Sequence, residues 1–204
     1  LNGGGRRERQ ARRIEHEEQH MAASPQDVVG YWRSAGPAKW FAKSEAFDEA
    51  LRLRFEPVHH AAARGAYDAW AATPEGALAL LLLLDQIPRN LWRNSGHAFA
   101  TDGKARAIAR AAYDAGHDRN VEAQLRPFFY LPFEHSEDLA DQAFSIRLFT
   151  RLRDETGDEE SLKWAVLHEE IVARFGRFPH RNAALGRTTT PEEAAFLESG
   201  GFSG

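Results

Sequence analysis

The run Ala77-Leu78-Ala79-Leu80-Leu81-Leu82-Leu83-Leu84-Asp85-Gln86-Ile87-Pro88-Arg89-Asn90 begins with eight residues lacking any polar side chain, then turns abruptly charged. Eight apolar residues fall far short of the roughly 20 that span a bilayer. A helix that is apolar all round is buried on every side, so the run is read as the central helix of a folded domain. Thr73-Pro74-Glu75 ahead of it supplies a cap followed by proline at the first helical position. The charges behind it carry a second message. A carboxylate and a guanidinium at the end of a buried helix must be paired or solvated in a cavity, because leaving either alone is costly.

Outward from this centre, nearly every segment carries helix signals and none sustains the alternation of a strand. Pro25 opens a short helix through Trp32 that stops at Gly36-Pro37. Ser44 caps a longer one with the stripe Phe47, Leu51, Phe55, Val58 and Ala62, which Pro57 is expected to kink. Asp102 is read as the cap of a helix ending at Gly116. Pro127-Phe128-Phe129-Tyr130-Leu131-Pro132-Phe133 is too bounded by proline to be read as one regular element. Helices follow from about Ser136 to Asp154 and from about Ser161 to Phe175, and Thr190-Pro191-Glu192-Glu193 is a full capping box for a last one. About eight helices in one all-α domain are expected, with no self-similarity near 34 residues.

Length and charge fit this picture. The 204 residues hold 26 Lys and Arg against 30 Asp and Glu, a net of −4, and no cysteine. Thiolate metal sites and disulfides are therefore excluded, and no global charge favours nucleic acid or a membrane surface. Residues 1–20 consist of glycines and mixed charge, with Leu1 and Ile14 the only sizeable apolar side chains. Such a segment buries too little to offset its ordering entropy, so it is read as a disordered leader or expression scar before an initiating Met21, with a charged arm as the alternative. Its five arginines and four glutamates leave residues 21–204, read as a single domain, at −5. A cytoplasmic location follows as the default, since no signal or spanning run comes after Met21.

Polar residues interrupt the apolar pattern in four places. Asp85, Arg89 and Asn90 form a pocket wall or tie down the reversal at Pro88, and Arg89 is suited to grip a carboxylate or phosphate. Glu134, Asp138 and Asp141 are expected to share a helix face, with His135 beside Asp138. That grouping suits acid–base work, but acids in a first turn are equally favoured by the helix dipole, and the order His-x-x-Asp is not a di-iron signature. Arg177, His180, Arg181 and Asn182 lie in an Arg/Phe loop that either contacts an anion or neutralises those acids. His168, on an apolar stripe with Trp164 and Ile171, is read as a hydrogen-bonded core residue. Ile87-Pro88-Arg89-Asn90 and Phe178-Pro179-His180-Arg181-Asn182 resemble each other, and two such turns facing one another would clamp an anion from both sides. No nucleophile elbow, Gly-rich phosphate loop or zinc-protease helix occurs, so neither cofactor nor metal is expected.

Several of these motifs together resemble one family. Trp40-Phe41-Ala42-Lys43 with Phe47-Asp48, Leu83 to Asn90, Phe99-Ala100-Thr101-Asp102, Phe129 to Asp138 and Gly176 to Asn182 look like the bacterial family catalogued as domain of unknown function 924. The likeness runs from about Val28 to the C-terminus. It departs at Gly30-Tyr31-Trp32-Arg33, where the family pattern resembles Asp-Phe-Trp-Phe, and at Ile87, where phenylalanine is common. The resemblance implies an irregular tetratricopeptide-like stack of helix hairpins in a right-handed superhelix, and it implies no activity, cofactor or catalytic residue.

Three functions are compatible with the residues. The first is a binding protein for an unknown protein, a peptide or an anionic small molecule, its polar cleft drawing on Trp40, Asp85, Arg89, Arg177, His180 and Arg181. The second is a small-molecule enzyme of hydrolase type with His135 or His180 as acid or base. The third makes the polar motifs purely structural.

Overall fold

The computed structural model describes residues 23–202, so the readings of residues 1–20 and Met21 lie outside them. The described residues form an all-helical single domain without a strand. Its helices are α1 (Pro25–Ala35), α2 (Pro37–Trp40), α3 (Glu45–Ala63), α4 (Pro74–Leu81), α5 (Ile87–Leu91), α6 (Asp102–Asp114), α7 (Pro127–Glu134), α8 (Leu139–Thr156), α9 (Glu159–Phe175) and α10 (Pro191–Glu198). None is long and apolar enough to cross a membrane.

Local chemistry explains most boundaries. Ser24 and Thr190 build complete capping boxes with Asp27 and Glu193, each satisfying orphan amides at a helix start. Gly157 and Gly176 end α8 and α9 in the left-handed conformation that glycine adopts without a Cβ penalty. The α3 helix runs unbroken through Pro57, with Ser44 at its cap as expected. Pro57 leaves the carbonyl of Leu53, one turn back, without its helical partner, and Leu53 lies on the exposed side of the helix.

The apolar run is central. Ala77 to Leu84 are all fully buried, and α4 packs against α1, α6, α7 and the turn Asp68–Ala72. At roughly 1.5–3 kcal/mol for each fully buried leucine, this one helix supplies a large share of the driving force for folding. Two apolar clusters result. The larger gathers α1, α3, α4, α6, α7 and α8 with the start of α9, and a smaller one holds Ile171, Val172 and Phe178 with Leu167, Phe175, Phe196 and Phe202.

Three local expectations are corrected. Residues 127–134 are one helix, because Pro127 occupies its first turn, where no amide partner is needed, and Pro132 falls in its last. Thr101, not Asp102, is the N-cap residue of α6, and the Asp102 carboxylate is drawn instead to Arg89. Glu134 and Asp138 do not share a helix face: Glu134 ends α7, while Asp138 caps α8 by accepting the Ala140 and Asp141 amides.

Candidate functional site

The site grows from a proline. Pro88 has no N–H to donate, and the chain answers with a π turn over Leu82–Gln86, in which the Ile87 amide reaches back five residues to the Leu82 carbonyl. The carbonyls this leaves are served by other elements. Leu83 accepts from His59 Nδ1 at 2.7 Å, and Leu84 accepts from the Thr101 hydroxyl at 2.6 Å. The turn delivers Asp85, itself fully buried, to the end of α7.

There the imidazole of His135 donates Nδ1–H to Asp85, lying 2.9 Å from both carboxylate oxygens. Gln86 Nε2 donates to Asp85 Oδ2 at 2.6 Å, and Arg89 Nη1 stands 3.4 Å from Oδ1. Arg89 also donates to the Asp85 carbonyl, and it grips Asp102 with two parallel bonds of 3.0 Å. From the opposite side Arg181 donates to the His135 carbonyl at 3.0 Å and stands 3.8 Å from Asp102. The two similar turns therefore meet at one carboxylate, which belongs to the protein. The Arg181 guanidinium is layered against the rings of Phe99 and Phe178, at 4.6 and 4.4 Å from their centroids.

A second group of polar side chains adjoins the first. His168 Nδ1 donates to the Trp164 carbonyl at 2.8 Å and lies 3.2 Å from Glu134 Oε1. The rings of His168 and His180 both face Phe178 and Phe202. Several buried polar atoms here have no partner among the described residues: Glu134 Oε2, His180 Nδ1 and Arg181 Nε. Each such orphan costs about 1–3 kcal/mol, and native proteins keep few of them.

Burial sets the protonation states. Burial would raise Asp85, but Arg89 and His135 outweigh it and hold the carboxyl well below the usual range. Burial, with Asp85 nearby, pushes Glu134 up to about 8, so it keeps its proton at neutral pH. Burial first and Arg89 second lower His135. His168 and His180 fall to about 3, through burial and then the neighbouring charges. The imidazoles are accordingly neutral, and Asp85 and Asp102 face Arg89 and Arg181.

Asp85, Arg89, Glu134, His135, His180 and Arg181 thus converge. Other residues singled out from the sequence lie elsewhere. Trp40 donates to the Trp32 carbonyl at 2.7 Å and stacks on Trp32 in the core. Asn90 donates to Asp48 at 2.8 Å. Asp138 is an exposed cap, and Arg177 and Asn182 both donate to Glu193. Sequence reasoning passed over Asp102, His168, Phe99 and Phe202 as members of the group. The signal for Asp102 and Phe99 was their joint motif Phe99-Ala100-Thr101-Asp102; for Phe202 there was none. Among the described residues no group of three or more His, Asp or Glu is arranged to hold a metal ion.

Comparison with known proteins follows the same outline. The model of a family described as bacterial protein of unknown function, DUF924, matches residues 28–201. A solved structure, the protein of unknown function ATU0120 from Agrobacterium tumefaciens, is 48% identical and superimposes with a TM-score of 0.82. That likeness covers 86% of this chain and 97% of the other. No curated protein matches the chain.

Proposed function

The chain belongs to the bacterial DUF924 family, and from that premise we propose that it is a cytoplasmic binding protein for a small molecule bearing a carboxylate or phosphate. The helices are taken to stack as hairpins of a tetratricopeptide-like superhelix, a reading supported by α8 and α9, which pack closely across a two-residue link. One observation carries the binding reading. Arg181 is 6% exposed, its Nε is unpartnered, and it lies against two phenylalanine rings beside two further orphans. With Glu134 protonated, Glu134 Oε2 and Arg181 Nε are both donors. Unused donors around a buried guanidinium suit an acceptor-rich anion. Walls of Phe99, Phe178 and Phe202 favour a small ligand over a peptide lying in an open groove.

Thermal melting with inorganic phosphate, and separately with succinate, tests this. At about ten times the dissociation constant, linkage gives roughly 1.4 kcal/mol of stabilisation, or about 3–6 °C for a chain of this size. The shift should vanish in Arg181→Met and persist in Arg177→Met, whose arginine serves Glu193 instead. An Arg181→Lys variant, which keeps a charge, separates loss of binding from loss of folding. An equal shift in Arg181→Met and the wild type would overturn the reading, as would no shift in the wild type.

A further inference from the structure

His135 is held in a way that a purely structural histidine does not need. Asp85 takes its Nδ1–H with both oxygens at 2.9 Å, so the tautomer is fixed and Nε2 keeps its lone pair. Asp85 is in turn held by Gln86 Nε2 at 2.6 Å and by Arg89, so the carboxylate cannot swing away. Among the described residues Nε2 makes no hydrogen bond to protein; the side chain is 13% exposed, and its ring centroid lies 6.4 Å from that of His168. A buried carboxylate orienting a neutral imidazole whose other nitrogen has no protein partner is the arrangement of a general base. Among the described residues no serine or threonine hydroxyl is hydrogen-bonded to that nitrogen, which leaves water as the group for it to serve.

We infer that Asp85 and His135 form a catalytic dyad that activates water to hydrolyse a carboxylic ester of the small anion held by Arg181. This deepens the binding reading and rests on it. A carboxylic ester suits this dyad because its reacting carbonyl is uncharged and adds no further negative charge beside Asp85 and Asp102, which already occupy Arg89. In the reaction His135 Nε2 takes a proton from water as the water oxygen bonds to the ester carbon. The carbon–oxygen bond to the alcohol then breaks, and the leaving oxygen takes that proton back from Nε2. Water and ester give acid and alcohol, and the dyad is restored. His135 touches the reacting water and is the catalytic residue; Asp85 acts through it and is a positioning residue.

The probe is p-nitrophenyl hydrogen succinate, with p-nitrophenyl acetate as the ester that lacks the anion. Wild type should prefer the succinate ester, and His135→Gln should lower kcat/KM about 100-fold or more while keeping the phosphate-induced thermal shift. Asp85→Asn should lower kcat with little change in KM. Nitrogen NMR of the wild type should find the His135 proton on Nδ1, a readout that needs no variant to fold. Wild-type hydrolysis no faster than that of His135→Gln, or a proton on Nε2, would overturn the dyad. A phosphate shift without hydrolysis refutes the dyad alone. Hydrolysis that depends on His135 but survives Arg181→Met sinks the binding reading and the anionic substrate with it.

Discussion

Glu134 keeps a proton in the folded chain because burial, with Asp85 close by, lifts it from an ordinary 4.5 to about 8. Between those values the unfolded chain releases the proton and the folded chain does not, so stability falls as pH rises through the window. His168 and His180 work in the opposite direction. Their folded values near 3 lie below an ordinary 6.5, so their contribution is present above 6.5 and is lost as pH falls toward 3. Glu134→Gln removes only the first effect. Circular dichroism melts should therefore show the Tm of Glu134→Gln gaining on the wild type steadily from about pH 5 to pH 8. A difference that stays flat over that range would mean that Glu134 is ionised in the folded protein. At this scale the sequence was partly legible. Asp85 and Arg89 announced themselves as charges behind a buried run, but their partners did not. Asp102 reads as an ordinary acid at a helix start, and only the turn before it brings its carboxylate onto Arg89.

Elements whose ends are written in local chemistry were readable. The box at Thr190, the cap at Ser44 and the stop at Gly176 all depend on residues a few positions apart, whereas the box at Ser24 and the stop at Gly157 went unread. The α7 helix was not readable, because a proline that breaks a helix and one that starts it look alike until the first turn is located. Likewise the π turn needs His59 and Thr101, each well removed in sequence, to serve its freed carbonyls. Gly76 shows how such a distant neighbour reverses a local preference. Alanine in a helix is favoured over glycine by about 1 kcal/mol. Yet a Cβ at Gly76 would stand 2.0 Å from the Trp70 carbonyl oxygen, which belongs to the turn packed on the start of α4. Overpacking of this kind costs roughly 1–3 kcal/mol, so the clash outweighs the propensity. Urea denaturation of Gly76→Ala should give a lower midpoint with an unchanged slope, a net loss of up to about 2 kcal/mol. A raised midpoint would show that the turn yields freely.

Over the whole molecule, the polar site lies at the seam between two apolar clusters. Asp85, Glu134 and His135 come from elements of the larger core, while Phe178, His180, Arg181 and Phe202 surround the smaller one. Phe202 reaches the seam because Gly200 and Gly201 turn the chain back after α10. The Gly201 amide donates to the Phe196 carbonyl at 3.0 Å, and a Cβ at Gly201 would stand 2.6 Å from that oxygen. The central helix and the all-helical class were legible from the run at 77–84, because burial on every side follows from composition alone. That the two similar turns face each other was suggested by their likeness, but that they meet on Asp102 was not, because it depends on how the C-terminal helices dock. The claim that this seam holds an anion through Arg181 is tested most directly by following the Arg181 Nε–H resonance by NMR, assigned with Arg181→Lys, during a titration with inorganic phosphate. The account predicts that this resonance moves and saturates along with the thermal shift. A resonance that stays in place while phosphate saturates would contradict it.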